Sequence, residues 1–132
     1  MQTIHKPTAP SDTSLSAKWA HCYPFIEAAL EHAHGSHKMG DVFGSIVKGD
    51  AQFWFSEDAG LVTEIIEYPQ RRTLRFWLAG GNLSTLKQME ADAIEWSKDW
   101  GCTACEIIGR RGWVRALEGF NEVATVGVKD YV

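Results

Sequence analysis

At 132 residues the chain has the length of one domain, and a chain of that size buries roughly two thirds of the surface its unfolded form exposes, so a single core suffices. With 45% hydrophobic and 23% charged residues it is globular in composition, and six Trp and six Phe make the expected interior aromatic, which excludes disorder for most of its length. A net charge of −4 gives no long-range attraction to nucleic acid or to an anionic membrane, and no apolar run approaches the roughly 18 residues needed to span a bilayer.

Residues 1–16 carry Thr, Ser and two Pro with no apolar period and read as an extended arm, with a short edge strand at Thr3 to His5. The compact domain is expected over 17–132. The start lacks the basic and apolar regions of a signal peptide, so the expected location is the cytoplasm. Ala17 to Tyr23 leads into a helix from Pro24 to His34, with Pro in the first turn and Gly35 as its stop. Asp41 caps a second helix, Val42 to Lys48, closed by Gly49. Three strands follow, Ala51 to Ser56, Leu61 to Tyr68 and Arg72 to Ala79, and their short turns predict an antiparallel meander. In the third, Leu74, Phe76 and Leu78 alternate with Thr73, Arg75 and Trp77.

Gly80-Gly81-Asn82 opens the strongest helix, whose stripe Leu86, Met89, Ala93, Trp96, Trp100 has helical spacing and which stops at Gly101. A strand (Thr103 to Ile108), a short helix (Gly112 to Glu118) and a closing strand (Val123 to Lys129) complete the order ααβββαβαβ. The strands flanking the long helix should be parallel.

Three Cys make an odd count that argues against a disulfide framework. Cys102 and Cys105 follow a helix instead of opening one, so no dipole lowers their pKa, and no second pair completes a zinc site. They read as inert thiols. His32, His34 and His37 span a helix end and a loop and cannot share one face, so no metal site is expected. Arg71, Arg72 and Arg75, with Arg110, Arg111 and Arg115, are the basic clusters; they suit either a phosphate or pairing with the surplus carboxylates.

The run Gly101-Cys-Thr-Ala-Cys-Glu-Ile-Ile-Gly-Arg-Arg-Gly-Trp-Val-Arg-Ala-Leu-Glu-Gly-Phe120, then Val126-Gly-Val-Lys129, together with the element order, resembles the GNAT (GCN5-related) N-acetyltransferases, an α/β (α+β) acyl-CoA N-acyltransferase fold with a mixed central sheet. Gly109 to Trp113, Asp41 to Gly49 and Val62 to Ile65 are similar to small GNAT-like proteins of phages and prophages. The resemblance implies an acyl-CoA, with acetyl-CoA as cofactor, held along Trp77, Leu78, Ala79, Gly80, Gly81 and Asn82. There a diphosphate would meet amides at the start of the long helix.

The family's usual Gln or Arg and its spaced second Gly are missing from that turn, whose plain reading is a strand-to-helix connection capped by Asn82 or Ser84. Where many members carry a Tyr that protonates the leaving thiolate, this chain has Arg115, which could steady the thiolate without readily giving a proton. Glu64 and Glu106, carboxylates inside strands, are the candidate bases, and apolar neighbours make Glu106 partly buried, a condition that favours basicity. The implied activity is acetyl transfer to a small amine or a protein amine. The alternative is a noncatalytic GNAT-like phage or prophage protein with a structural or protein-binding role. Homodimerisation is implied by the resemblance alone.

Overall fold

The computed structural model describes residues 5–33, 35–108, 116–124 and 127–131. The arm meets the sheet at Thr8, whose N–H donates to the Phe53 carbonyl (2.8 Å), and His5 lies against the Trp54 ring. Of the edge strand expected at Thr3 to His5, all but His5 lies outside the described residues.

The first helix, α1 (Leu15–Leu30), begins where the Asp12 carboxylate accepts hydrogen bonds from the Ser14 N–H (2.7 Å) and hydroxyl (2.6 Å). Its buried stripe of Leu15, Trp19, Cys22, Ile26 and Leu30 runs straight through Pro24. The sequence reading, which starts the helix at Pro24 and ends it at Gly35, is corrected at both ends. A proline inside a helix costs about 3 kcal/mol, whereas burying each large apolar side chain contributes about 1.5–3 kcal/mol, so a five-residue stripe outweighs it. Ala20, whose carbonyl Pro24 leaves without its helical donor, is exposed to water.

The second helix, α2 (Met39–Lys48), starts before Asp41. That residue sits third in the helix and its carboxylate reaches back to accept the Lys38 N–H (2.8 Å). Gly49, at φ 82°, closes it as expected.

The sheet contains β1 (Ala51–Phe55), β2 (Ala59–Tyr68), β3 (Arg71–Gly81) and β4 (Ala104–Ile107), side by side in that order. The first three form the expected antiparallel meander, and α3 (Leu83–Lys98) carries the chain over to β4, which is parallel to β3. Helices α1 and α2 bury one sheet face around Phe53, Val62 and Leu78, while α3 covers the other around Trp54, Leu61, Leu74 and Phe76.

On α3, Leu86, Met89 and Ala93 are buried and Trp96 sets its ring edge-on to Trp54 at 5.6 Å. Trp100, expected in the same stripe, lies past the helix end and is 54% exposed. Beneath α3 the Trp54 Nε1–H donates to the Thr63 hydroxyl (3.0 Å), which donates in turn to Gln52 Oε1 (2.9 Å).

After β4, residues 109–115, which hold the Gly109 to Trp113 run, Arg110, Arg111, Arg115 and most of the expected short helix, lie outside the described residues. Ala116 is helical and Leu117 is buried. The expected closing strand is not found over 123, 124 and 127–129: these residues pair with no strand, and Val123 is 92% exposed. Alternation gives such a segment a face, but a strand exists only against a partner's amides and carbonyls. The order among the described residues is therefore ααβββαβ.

Candidate functional site

The register of β2 against β3 slips once. Val62 faces Leu78 and Thr63 faces Phe76, which leaves Trp77 as the extra residue of a β-bulge. A slip of one residue exchanges the faces that follow it. Leu78 therefore packs under α1 with Val62, whereas Leu74 and Phe76 pack under α3. The expectation that Leu78 shares a face with Leu74 and Phe76 is corrected by this bulge.

The bulge falls where β4 stops. Pairing of β3 with β4 runs from Thr73 with Ala104 to Phe76 with Ile107 and goes no further, while β3 continues to Gly81 with β2 alone beside it. Among the described residues, Trp77, Leu78, Ala79, Gly80 and Gly81 therefore have one side of their backbone without a strand partner. Alternate residues of such an edge present N–H and C=O groups to whatever lies there.

Next to the bulge, three residues stand in one row across three strands: Glu64 faces Arg75, and Arg75 faces Glu106. The Arg75 Nε–H donates to Glu106 Oε2 (3.3 Å), and Nη1 lies 3.9 Å from Glu64 Oε1. The Tyr68 hydroxyl donates to Glu106 Oε1 (2.7 Å) and accepts from Arg75 Nη2 (3.4 Å). Both predicted carboxylates are thus brought together, and they share one guanidinium.

Burial raises the Glu64 carboxyl above its ordinary value, and the nearby Glu106 adds to this; Arg75 and His37 pull the other way without cancelling it. Burial works against the charge of Arg75, but the Tyr68 hydroxyl and the two carboxylates more than compensate and hold its pKa above the usual value. His37, in the loop between α1 and α2, sets its ring edge-on to Trp77 at 4.9 Å, with Nδ1 in a 2.8 Å hydrogen bond with the Ser36 hydroxyl. Considered in the sequence only as a metal ligand, it stands instead beside the bulge.

The glycine turn has the plain strand-to-helix form, capped by Asn82, that the sequence offered as one of its two readings. A Cβ placed on Gly80 would strike the Phe25 carbonyl of α1, and one on Gly81, at φ 110°, would strike Asp58 and Ala59. Both glycines are required by close backbone packing. The Asn82 N–H donates to the Asp58 carbonyl (2.8 Å), and the Asn82 side chain accepts the Thr85 N–H (3.1 Å). Asn82 is therefore the cap, and Leu83 and Ser84 carry the first-turn amides that lack an intrahelical acceptor. Beside this turn, Phe25 and Ala29 of α1, His32 just past its end, and Gly80 and Gly81 of β3 line a cleft of about 440 Å³.

Of the remaining expected site residues, Arg115 lies outside the described residues. Among the basic clusters, Arg72 is spent on Glu67 and on the Trp100 carbonyl (2.6 Å). Cys102 and Cys105 are held above the ordinary thiol value, chiefly by burial. Among the described residues no group of three or more His, Cys, Asp or Glu is placed to hold a metal ion, and no helix is long and apolar enough to cross a membrane. Tyr68, which bonds to this polar row from further along β2, is the residue that the sequence reading missed. Its signal was there, because Glu64, Ile66 and Tyr68 alternate along one strand and share a face.

No protein-family model and no curated protein matches the sequence. Solved structures do match. The aminoglycoside acetyltransferase meta-AAC0020 from an uncultured soil metagenomic sample, crystallised with trehalose and with sisomicin, aligns at a TM-score of 0.67 over 96% of this chain and 94% of its own, with 10% identity. TTHA1254 from Thermus thermophilus aligns at 0.59 over 96% and 98%, with 11% identity. The fold is thus a mixed α/β fold shared with these two structures.

Proposed function

We propose that the chain is an N-acyltransferase that binds an acyl-CoA, with acetyl-CoA the simplest, along the open side of β3 at Trp77 to Gly81, and passes the acyl group to an amine on the face that carries Glu64. The observation that carries this reading is the coincidence of the Trp77 bulge with the end of β3–β4 pairing, beside a half-buried carboxylate. An exposed strand edge suits the amides of an extended pantetheine arm, much as it suits an added strand. The diphosphate would meet the Leu83 and Ser84 amides, because the Asn82 N–H is already committed to the Asp58 carbonyl and Gly80 and Gly81 pack closely on other backbone.

Bound acetyl-CoA would supply the acyl carbon: its C–S bond breaks as the C–N bond forms, and the departing thiolate takes the proton that the nitrogen still has to lose. Glu64 removes the first proton from the substrate ammonium, directly or through one water, and its raised pKa suits it to that exchange. The His37 imidazole, edge-on to Trp77, acts electrostatically on Glu64. Arg115 remains the candidate to steady the thiolate. Sisomicin, bound by the metagenomic neighbour, is the first acceptor to test, followed by small polyamines and protein amines.

Thermal melting gives the direct test. Acetyl-CoA at ~100 times its Kd adds ~2.7 kcal/mol of stability, or about 10 °C for a chain of this size. An unchanged melting temperature at millimolar acetyl-CoA would contradict the proposal. A second reading, a noncatalytic scaffold in a phage-type assembly or protein complex, is favoured by one observation: Gly80 and Gly81 are taken up by backbone packing. It expects a large stable particle in light scattering together with no response to acetyl-CoA.

A further inference from the structure

The guanidinium between Glu64 and Glu106 is shared unequally. Two of its nitrogens, Nε and Nη2, are turned to Glu106 (3.3 Å) and the Tyr68 hydroxyl (3.4 Å), whereas Glu64 receives only Nη1, at 3.9 Å. Tyr68 reinforces the imbalance from the other end, because its hydroxyl donates to Glu106 Oε1 at 2.7 Å and leaves Oε2 for Arg75. Tyr68 stands in register with Arg71, and Glu106 with Arg75, so their bond spans the row that holds Thr73. The Thr73 hydroxyl, buried in that row, has no hydrogen-bond partner among the described residues.

We propose that Glu106, braced by Tyr68, is a positioning residue that holds the Arg75 guanidinium away from Glu64, so that Glu64 keeps a carboxylate free to accept a proton. The two carboxylates that alternate as candidate bases in the sequence thereby take different tasks. Glu64 meets the substrate, and Glu106 acts on it through Arg75. With Nε on Glu106 and Nη2 on the Tyr68 hydroxyl, the orientation of the planar guanidinium is set by these two partners and turns only Nη1 toward Glu64, short of a bidentate grip. The charged and titratable groups that act on Glu64 are Arg75 from β3, Glu106 from β4 and His37 from the α1–α2 loop, and of these Arg75 is the one with a choice of partner.

This inference rests on Glu64 being the base of the proposed transfer, and its test is readable without turnover. The Glu64 side chain is titrated by carboxyl 13C NMR in the wild type, Glu106→Gln, Arg75→Met and the double variant. Glu106→Gln releases Arg75 to Glu64, so Glu64 titrates at lower pH than in the wild type. In the Arg75→Met background, the same change moves Glu64 by less than half as much, because only the loss of through-space repulsion remains.

Equal movement in both backgrounds, or none in either, overturns the proposal. Should Arg75→Met fail to fold, a crystal structure of Glu106→Gln decides the matter: Arg75 forks onto Glu64, or it stays near 3.9 Å and the proposal falls. If the chain transfers acyl groups, the acid limb of kcat/KM moves to lower pH in Glu106→Gln while the KM for acyl-CoA holds. A Glu64 that follows the expected titration in a chain with no transferase activity would sink the assigned reaction and leave the Arg75 arrangement standing.

Discussion

Replacing Gly80 with Ala tests whether α1 rests on the bare backbone of β3. The added methyl would meet the Phe25 carbonyl, which is helix backbone and cannot rotate aside as the tip of a long side chain can. Either α1 or β3 must therefore move, and Cys22 and Ile26, both fully buried on that side of the helix, lose packing with it. Overpacking of this kind costs about 1–3 kcal/mol, and the upper half of that range applies because backbone meets backbone.

For 132 residues the unfolding entropy is about 0.28 kcal/mol per kelvin, so the melting temperature should fall by about 7–11 °C. Gly44→Ala is the matched control. It lies inside α2 with open space around it, and there the same methyl should add about 0.5–1 kcal/mol, raising the melting point by about 2–4 °C. Differential scanning calorimetry compares the two. A Gly80→Ala chain that melts with the wild type would refute the packing argument.

Glu64→Gln should change stability in a pH-dependent way. Burial raises that carboxyl in the folded state, so its contribution is fully present below the ordinary carboxylate value and is lost as pH rises through the raised one. The variant should melt above the wild type at pH ~7 and together with it near pH ~3, and a constant offset across the range would contradict the sign. Asn82→Ala should cost about 1 kcal/mol in urea unfolding, while Ser84→Ala, which removes no capping bond, should cost nearly nothing. Thr63→Val strands the buried Trp54 N–H and should cost about 1–3 kcal/mol, of which Trp54→Phe in the same chain restores a part.

The sequence carried most of the architecture because burial there is periodic. Leu86, Met89 and Ala93 announce α3, and short turns announce the meander. It misled wherever a local rule met a nonlocal one. Pro24 reads as a helix start, yet the stripe from Trp19 through Cys22 and Ile26 to Leu30 already crosses it at helical spacing. Trp100 fits the helical period but follows the end of the helix. The bulge at Trp77 has no signature in alternation, since it depends on how β2 and β3 slip past each other, and so the face of Leu78 was misread.

The candidate site was half legible. Glu64 and Glu106 stood out as strand carboxylates, but their meeting at Arg75 depends on register across three strands, which no single segment encodes. Gly80 and Gly81 suit a phosphate turn and a plain strand-to-helix turn equally, because glycine permits close approach and sequence cannot say what approaches. In the fold it is Phe25 and the Asp58–Ala59 backbone.

Backbone amide NMR during a titration with acetyl-CoA locates a ligand residue by residue. The account predicts shifts concentrated at Trp77 to Ala79 and at Leu83 and Ser84, saturating together. Resonances that stay still there at millimolar acetyl-CoA, or that move only on a surface remote from the bulge, would contradict it.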